Sequence, residues 1–284
     1  MDIAIIGSGE MGEWFAKFFK EKGWNVTITD KDHKKALKIA DELDIDAEKD
    51  NKKAARDSQI TIISVPIQST SEVIQEIKDS LDEDSLLIDI ASVKKTVVEK
   101  MKELEVESEL ASIHPLFGPG AEDLEGQNIA SIKIRAEEKY ENFKKTLTNS
   151  GANVFELEAK EHDRIMATTQ TLTHFTILSF LSSLDSMTDL EKAQKLSTPM
   201  FQKLLDLSKA FLSEDPKICG DIQTENIYAE EAQTKAKEAS ESLKSAMKDE
   251  NTEIIREIFE KYREKIGMEE IESTYKKIYE KEDE

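Results

Sequence analysis

Apolar and polar residues follow two different periods in the first half of the chain. The runs "DIAIIG" at 2–7, "QITIISVP" at 59–66 and "SLLIDI" at 85–90 are typical of strands that are buried on both faces. Segments with apolar residues every three or four positions separate these runs, as amphipathic helices do. The alternation predicts a doubly wound, largely parallel sheet of about seven strands, covered by helices on both faces.

The strand pattern ends near residue 157, and the remaining chain is helical in pattern. The segment 161–184 is long and mostly apolar on all sides, like a helix buried within a helical domain. The segment 197–212 begins with a capping Ser or Thr and a proline, and amphipathic helices follow at about 226–248 and 251–280. We therefore predict an α/β domain at 1–157 and an all-helical domain at 158–284.

A glycine pattern joins the first strand to the first helix in "IIGSGEMGEWF". Gly7 permits the tight turn, Gly9 lets the backbone approach a pyrophosphate, and Gly12 lets the helix pack closely on the sheet. The helix N-terminus offers free N–H groups and its positive dipole end to phosphates. The pattern predicts a Rossmann-type domain that binds a dinucleotide, with Glu10 and Met11 in the binding turn.

Asp30 ends the second strand, where a carboxylate accepts hydrogen bonds from ribose hydroxyls and repels a 2′-phosphate. We therefore predict NAD as the cofactor, with NADP as the alternative because Lys31 and Lys34 lie close by. The third long strand ends in a segment that either lines the same crevice or forms a plain strand-to-helix turn. This segment consists of Ser64, Val65 and Pro66.

Two further strand ends bring polar side chains to the same edge of the sheet. "DIASVK" at 89–94 supplies Ser92 and Lys94, and "HPLFGPG" at 114–120 supplies His114, which Pro115 holds extended. A dehydrogenase needs a base for the hydroxyl proton as hydride leaves carbon, and histidine titrates near neutral pH. His114 is the candidate base, and a plain strand terminator is the alternative.

Composition narrows the possible partners. The net charge of −21 argues against nucleic acid and anionic membrane surfaces, because both would repel the chain. No stretch approaches the ~18 apolar residues of a membrane span, and the first strand begins too early for a signal peptide. Cys219 is the single cysteine and cannot form an internal disulfide, which favours a cytoplasmic setting. We expect a solvated acidic surface and no metal site.

Five segments in this order and at these separations resemble the prephenate dehydrogenase family over most of residues 1–230: "GSGEMG", "SVP", "DIASVK", "HPLFGPG" and "EHDRIMATTQTLTHF". The resemblance implies an NAD-dependent oxidative decarboxylation of prephenate to 4-hydroxyphenylpyruvate, on the route to tyrosine. It implies that His114 polarises the ring hydroxyl and that Ser92 supports it. It also implies that Lys94 lies close to substrate and cofactor.

The resemblance further implies that the helical domain forms a homodimer and closes the active site. Two family histidines correspond to His162 and His174, and Gln170 is a further candidate substrate contact. A neutral core histidine is the alternative for His174, and a solvated or structural role is the alternative for His162.

One position departs from the family pattern. Ala210 stands where relatives carry an arginine that grips a substrate carboxylate, and the nearby cations are Lys203 and Lys209. A lysine offers a point charge without the bidentate fork of arginine. The departure leaves two alternatives open: an arogenate dehydrogenase with the same apparatus, or a dinucleotide-binding regulator without turnover. The retained serine, lysine and histidine speak against the regulator.

Overall fold

A computed structural model describes residues 1–279 of the chain. The chain divides into two compact units, Met1–Ile165 and Met166–Glu284, here called the first unit and the second unit. The predicted helix at 251–280 and the predicted domain at 158–284 extend past residue 279, so their last residues lie outside the described chain. The boundary after residue 157 stays a prediction.

The first unit is built on one sheet of eight strands in the order β3-β2-β1-β4-β5-β6-β7-β8. Neighbouring strands run parallel except β6 and β7, which pair antiparallel. The strands are β1 (Asp2–Ile6), β2 (Asn25–Thr29), β3 (Asp46–Ala47), β4 (Ile60–Ile63), β5 (Leu86–Asp89), β6 (Glu109–Pro115), β7 (Asn128–Arg135) and β8 (Asn153–Glu156). This confirms the predicted doubly wound Rossmann-type sheet.

Helices cover both faces of the sheet because the central strands are apolar on both sides. One buried cluster gathers around Phe15, Phe19 and Phe143, and another around Ile74, Val98 and Met101. The helices are α1 (Glu10–Glu21), α2 (His33–Leu43), α3 (Asn51–Arg56), α4 (Ile67–Ile77), α5 (Lys95–Lys102), α6 (Glu138–Thr148) and α7 (Ala159–Met166).

The order of the strands reverses at β1, which pairs with β2 on one side and with β4 on the other. Ligands of open α/β sheets bind in the crevice beyond the carboxyl ends of the strands at such a reversal. The turns after β1 and β4 meet there. This position of the glycine turn was predicted from the sequence.

Within residues 166–279 the second unit consists of helices and the turns that connect them, as predicted. A π-helical turn at Ala167–Thr171 follows α7, and π turns often occur at functional sites. The helices are α8 (Leu172–Met187), α9 (Leu190–Lys195), α10 (Pro199–Phe211), α11 (Pro216–Glu225), α12 (Ala229–Lys248), α13 (Glu253–Ile266) and α14 (Met268–Tyr279). The predicted helix at 251–280 is thus two helices, because Gly267 adopts a φ of 93° between them.

The prediction that the helix within 161–184 is buried on all sides was wrong for the chain as described. In α8 only His174 and Ile177 are buried, while Leu178 and Met187 are exposed. A single chain therefore leaves several apolar side chains of α8 uncovered. None of the helices within residues 1–279 combines the length and the apolar character that spanning a membrane requires.

Candidate active site

The glycine turn after β1 is shaped by close backbone packing. Gly7 has a φ of 109°, and a Cβ there would lie 2.1 Å from the carbonyl oxygen of Ser64. A Cβ on Gly12 would lie 2.0 Å from the carbonyl oxygen of Gly7. Only glycine fits at these two positions, because the clashing atoms belong to the backbone.

Gly9 differs from the other two glycines, because a Cβ there would meet nothing within 4 Å. It caps the N-terminus of α1 in an extended conformation without a side-chain hydrogen bond. The space in front of the first N–H groups of α1 is therefore open. This arrangement fits a pyrophosphate, which binds at helix N-termini through backbone N–H groups.

Asp30 lies just beyond the carboxyl end of β2, beside the glycine turn. Its Oδ2 accepts hydrogen bonds from the backbone N and from Oγ of Ser8, both at 2.8 Å, and its Oδ1 accepts one from the backbone N of Asp32. Partial burial raises the pKa of Asp30, but the hydrogen bonds from Ser8 and Asp32 outweigh burial, so its pKa is lowered. The side chain is thus a fixed carboxylate at the position that recognises ribose in dinucleotide-binding domains.

His114 lies near the carboxyl end of β6 and is only 3% exposed. Its Nδ1 lies 2.9 Å from Nε2 of His162, a fully buried residue of α7. Nδ1 of His162 in turn lies 2.8 Å from Oδ1 of Asp163, which is also fully buried. The three side chains form a continuous hydrogen-bonded chain within the first unit, here called the His–His–Asp chain.

The carboxylate of Asp163 also connects this chain to the start of α5. Its Oδ1 accepts a hydrogen bond from the backbone N of Lys94, and its Oδ2 accepts one from the backbone N of Lys95, each at 2.9 Å. These are the free N–H groups of the first helical turn, where a negative charge is stabilised. Asp163 therefore fixes the position of the His162 imidazole relative to the N-terminus of α5.

The direction of the hydrogen bonds in the His–His–Asp chain follows from Asp163, since a carboxylate only accepts. His162 must donate from Nδ1, which leaves its Nε2 as an acceptor. His114 then donates from Nδ1 to His162, which leaves Nε2 of His114 with a free lone pair. Within residues 1–279 this Nε2 has no hydrogen-bond partner. The chain thus prepares His114 to accept a proton at Nε2.

Burial favours the neutral form of both imidazoles. It is the main cause that lowers the pKa of His114 well below 6.5, and His162 and the Lys94 ammonium lower it further. Burial also lowers the pKa of His162, and the hydrogen bond to Asp163 offsets only part of this effect. A neutral imidazole at and below neutral pH is the form that a general base requires.

The ammonium of Lys94 is fully buried and lies 2.9 Å from Oδ1 of Asp89, the last residue of β5. Burial lowers the pKa of Lys94, and the charge of Asp89 opposes this effect. Oδ2 of Asp89 is buried and has no partner within the described chain. A direct contact of Lys94 with substrate stays a prediction, and in this structure its charge acts on His114 from within the protein.

The loop after His114 is held to α1 by aromatic contacts. Phe117, the phenylalanine of "HPLFGPG", is half-buried and packs against Trp14 with ring centroids 5.0 Å apart. The indole N–H of Trp14 donates to the carbonyl oxygen of Ala121 at 2.7 Å. Ser92, in the turn between β5 and α5, is half-buried. The first unit thus carries His114, Ser92, Lys94 and the predicted cofactor residues.

The remaining predicted site residues belong to the second unit. His174 is 8% exposed and its Nδ1 is buried without a partner in residues 1–279, as is Oε1 of Gln170 in the π turn. Lys203 and Lys209 are exposed on α10, and Lys209 forms an ion pair with Asp206. Ala210 is exposed beside Lys209.

Sequence reasoning missed Asp163 and Asp89, and it left a solvated role open for His162. His162 is fully buried, so the solvated alternative was wrong. The dipeptide "HD" at 162–163 was visible, but its partner His114 lies 48 residues earlier and only the fold joins them. The pairing of Asp89 with Lys94 was easier to predict, because the two residues are only five positions apart in the sequence.

Comparison with known proteins yields matches along most of the chain. A family model described as the nucleotide-binding domain of prephenate dehydrogenase matches residues 15–152, and one described as the dimerization domain of prephenate dehydrogenase matches residues 158–261. A "probable arogenate/prephenate dehydrogenase" from Methanocaldococcus jannaschii is 31% identical over 267 residues, which cover 90% of this chain and 60% of the relative. The chain spans 55–60% of the length of the first curated relatives it matches.

Two solved structures share the fold. The prephenate dehydrogenase of A. aeolicus, crystallised with hydroxyphenyl propionate and NAD+, has a TM-score of 0.75 at 21% identity and covers 93% of this chain and 98% of its own. The arogenate dehydrogenase of Synechocystis has a TM-score of 0.70 at 17% identity and covers 94% of this chain and 100% of its own. At these identities the likeness is one of fold.

Proposed function

The chain belongs to the prephenate dehydrogenase family, and on this premise we propose that it catalyses the NAD-dependent oxidative decarboxylation of prephenate to 4-hydroxyphenylpyruvate. The observation that supports the proposal most is the His–His–Asp chain. A protein that only held a nucleotide would have no use for a buried imidazole whose second nitrogen is left free as a base. An arogenate dehydrogenase with the same residues is the second candidate, since the relatives carry both names.

The cofactor site that we propose runs from the glycine turn to Asp30. Gly7, Gly9 and Gly12, with Glu10 and Met11, would hold the pyrophosphate at the N-terminus of α1. Asp30 would accept hydrogen bonds from the adenosine ribose and repel the 2′-phosphate of NADP. The turn after β4 would line the crevice with Ser64, Val65 and Pro66. Bound NAD+ supplies the acceptor for the hydride.

In the proposed reaction His114 receives the proton of the ring hydroxyl at Nε2. The carbon that carries this hydroxyl would lose a hydride, and the bond from the ring to its carboxylate would break to release CO2, its electron pair completing the aromatic ring. The phenolate oxygen would then take the proton back from Nε2 of His114, which gives 4-hydroxyphenylpyruvate and restores the neutral base. Ser92 would hold the hydroxyl oxygen by a hydrogen bond. Asp163, through His162, keeps the proton on Nδ1 of His114, so that Nε2 stays available.

Substrate recognition beyond the hydroxyl is proposed for residues of the second unit. Prephenate has two carboxylates, and arogenate has an ammonium on its side chain beside one of them. Without an arginine at Ala210, cations on the same helix would supply weaker point charges. The proposed contacts are His174, Gln170, Lys203 and Lys209.

We also propose a homodimer formed through the second unit. The apolar residues that α8 leaves exposed, Leu178 and Met187 among them, would be covered by a second copy. The description of the family model over residues 158–261 as a dimerization domain supports this assembly.

The test is to follow NADH formation with prephenate and with arogenate, in the wild type and in His114→Asn. The variant should lose at least ~100-fold in kcat, which is the usual contribution of a positioned acid–base group. The variant His33→Asn, at a half-buried position at the start of α2, is the matched control and should keep full activity. Turnover of arogenate alone would select the second candidate. NAD+ binding without turnover of either substrate would refute the enzyme and leave a nucleotide-binding regulator.

A further inference from the structure

A cluster of three different metal-ligating side chains lies in the second unit and shares no residue with the His–His–Asp chain. His174 of α8, Glu214 between α10 and α11, and Cys219 of α11 each offer one ligand atom, and these atoms lie within 4.8 Å of one another. Sγ of Cys219 lies 3.4 Å from Oε2 of Glu214. The cluster combines an imidazole, a carboxylate and the single thiol of the chain.

The surroundings of the cluster are apolar on one side and open on the other. Cys219 packs with Ile177 and Phe211 in the buried core of the second unit. The ring of Phe211 also contacts the imidazole of His174, with centroids 4.8 Å apart. Glu214 is exposed, so the third ligand approaches from the solvent side.

His174 supplies the independent sign of a missing partner. The residue is only 8% exposed, and its Nδ1 is buried without a hydrogen-bond partner within residues 1–279. Buried polar atoms nearly always have a partner, and an orphan suggests an unseen ion or water. A metal ion bound at Nδ1 would provide that partner.

We propose that His174, Glu214 and Cys219 form a binding site for a zinc-type transition metal ion. Thiolate and imidazole ligands select zinc over magnesium or calcium, and a carboxylate completes sets of this kind. Three protein ligands leave one tetrahedral position for water or a small anion such as a carboxylate. On binding, the thiol of Cys219 releases its proton to solvent and the sulfur bonds to the metal.

This site goes beyond the proposed dehydrogenase reaction and does not depend on it. The imidazole of His174 has two nitrogens, so a metal at one leaves the other for the substrate contact proposed above. No hydride or proton transfer in the dehydrogenase reaction passes through the metal. The site can therefore be tested by metal binding without any turnover.

The first test is to titrate Co²⁺, as a spectroscopic substitute for Zn²⁺, into the metal-stripped full chain. We expect one equivalent to bind with a thiolate-to-cobalt charge-transfer band in the near ultraviolet, and Zn²⁺ to abolish that band. Because Cys219 is the only cysteine, such a band identifies its sulfur without ambiguity. Absence of the band at saturating Co²⁺ would overturn the proposal.

Variants then test the other two ligands. His174→Gln and Glu214→Gln should each weaken Co²⁺ binding by at least ~10–100-fold, which is the usual effect of disturbing even the groups that support metal ligands. The matched controls, His33→Gln and Glu225→Gln, should bind like the wild type. Unchanged affinity in both ligand variants would show that the thiol binds cobalt without these partners, and the site would be rejected.

A second measurement covers the case in which a variant fails to fold. Zn²⁺ should slow the reaction of Cys219 with a thiol-specific reagent in the folded wild type by at least ~10-fold, because a bound thiolate is unavailable. Zn²⁺ should also raise the Tm of the wild type and leave that of Cys219→Ser unchanged. Equal thiol reactivity with and without Zn²⁺ would refute the site, whatever the variants do.

Discussion

Replacement of Asp163 by asparagine tests the role of the His–His–Asp chain with minimal change of shape. Asp163 accepts from Nδ1 of His162 at 2.8 Å and from the backbone N of Lys94 and of Lys95 at 2.9 Å. An asparagine has one oxygen and one NH2 group, so it cannot accept along both sides of the carboxylate. When its NH2 group faces His162, the protons of both imidazoles shift and Nε2 of His114 becomes protonated.

The expected loss of catalytic rate follows from the loss of the general base. A misplaced proton on Nε2 disables general base catalysis, which contributes roughly 10²–10⁴-fold in rate. This range corresponds to about 3–5 kcal/mol in the activation barrier. The unfolding free energy should also fall by roughly 1–3 kcal/mol, because charge-assisted hydrogen bonds become neutral ones.

The assay is steady-state NADH formation combined with urea unfolding of the same preparations. Asp163→Asn should lower kcat by at least ~100-fold while the KM for NAD+ changes little, since Asp30 and the glycine turn are untouched. Asp41→Asn, an exposed carboxylate on α2, is the control and should match the wild type. A variant that is only less stable, with unchanged kcat per folded molecule, would refute the proposed role of Asp163.

Three further predictions address the cofactor turn and the buried charges. Gly12→Ala should lower the unfolding free energy by at least ~1–3 kcal/mol in urea titrations, because its Cβ would meet the backbone of Gly7. The control Gly220→Ala, with open space around it, should not destabilise the protein. Equal stabilities of the two variants would contradict the close packing at Gly12. Asp30→Asn should reduce the ratio of kcat/KM for NAD+ over NADP+ by at least ~10-fold, since a charge-assisted hydrogen bond contributes about 1.5–3 kcal/mol; an unchanged ratio would rule Asp30 out as the discriminating residue. The wild type should keep its kcat/KM below pH 6.5, because burial, and then His162 and Lys94, lower the pKa of His114. Lys94→Met should move the acidic limb of the pH profile of kcat/KM to higher pH. An unmoved limb would mean that the charge of Lys94 does not act on His114.

The sheet was predictable because its signals are local. Short apolar runs such as 59–66 are typical of strands buried on both faces, and the glycine pattern marks the turn between β1 and α1. The break of the last predicted helix at Gly267 was missed, although glycine commonly follows the end of a helix. The exposure of α8 could not be predicted, because an apolar residue in the sequence does not show whether its own chain or a second copy covers it.

The site was only partly predictable, for a different reason. The position of His114 at a strand end follows from the order of elements, and the resemblance to the family named it. Its connection to His162 and Asp163 depends on a long-range contact across 48 residues, which no local pattern encodes. The same holds for His174 and Cys219, which lie on separate helices 45 positions apart and meet only in the folded second unit.

The proposed mechanism requires His114 to be neutral and to carry its proton on Nδ1. Nitrogen-15 NMR of the uniformly labelled protein reports this directly, and the four histidines can be assigned by single substitutions. We predict that His114 shows a protonated Nδ1 and a bare Nε2 at neutral pH, and that it stays neutral below pH 6.5. A proton on Nε2, or titration of His114 near pH 6.5, would contradict the proposed role of His114 as the base.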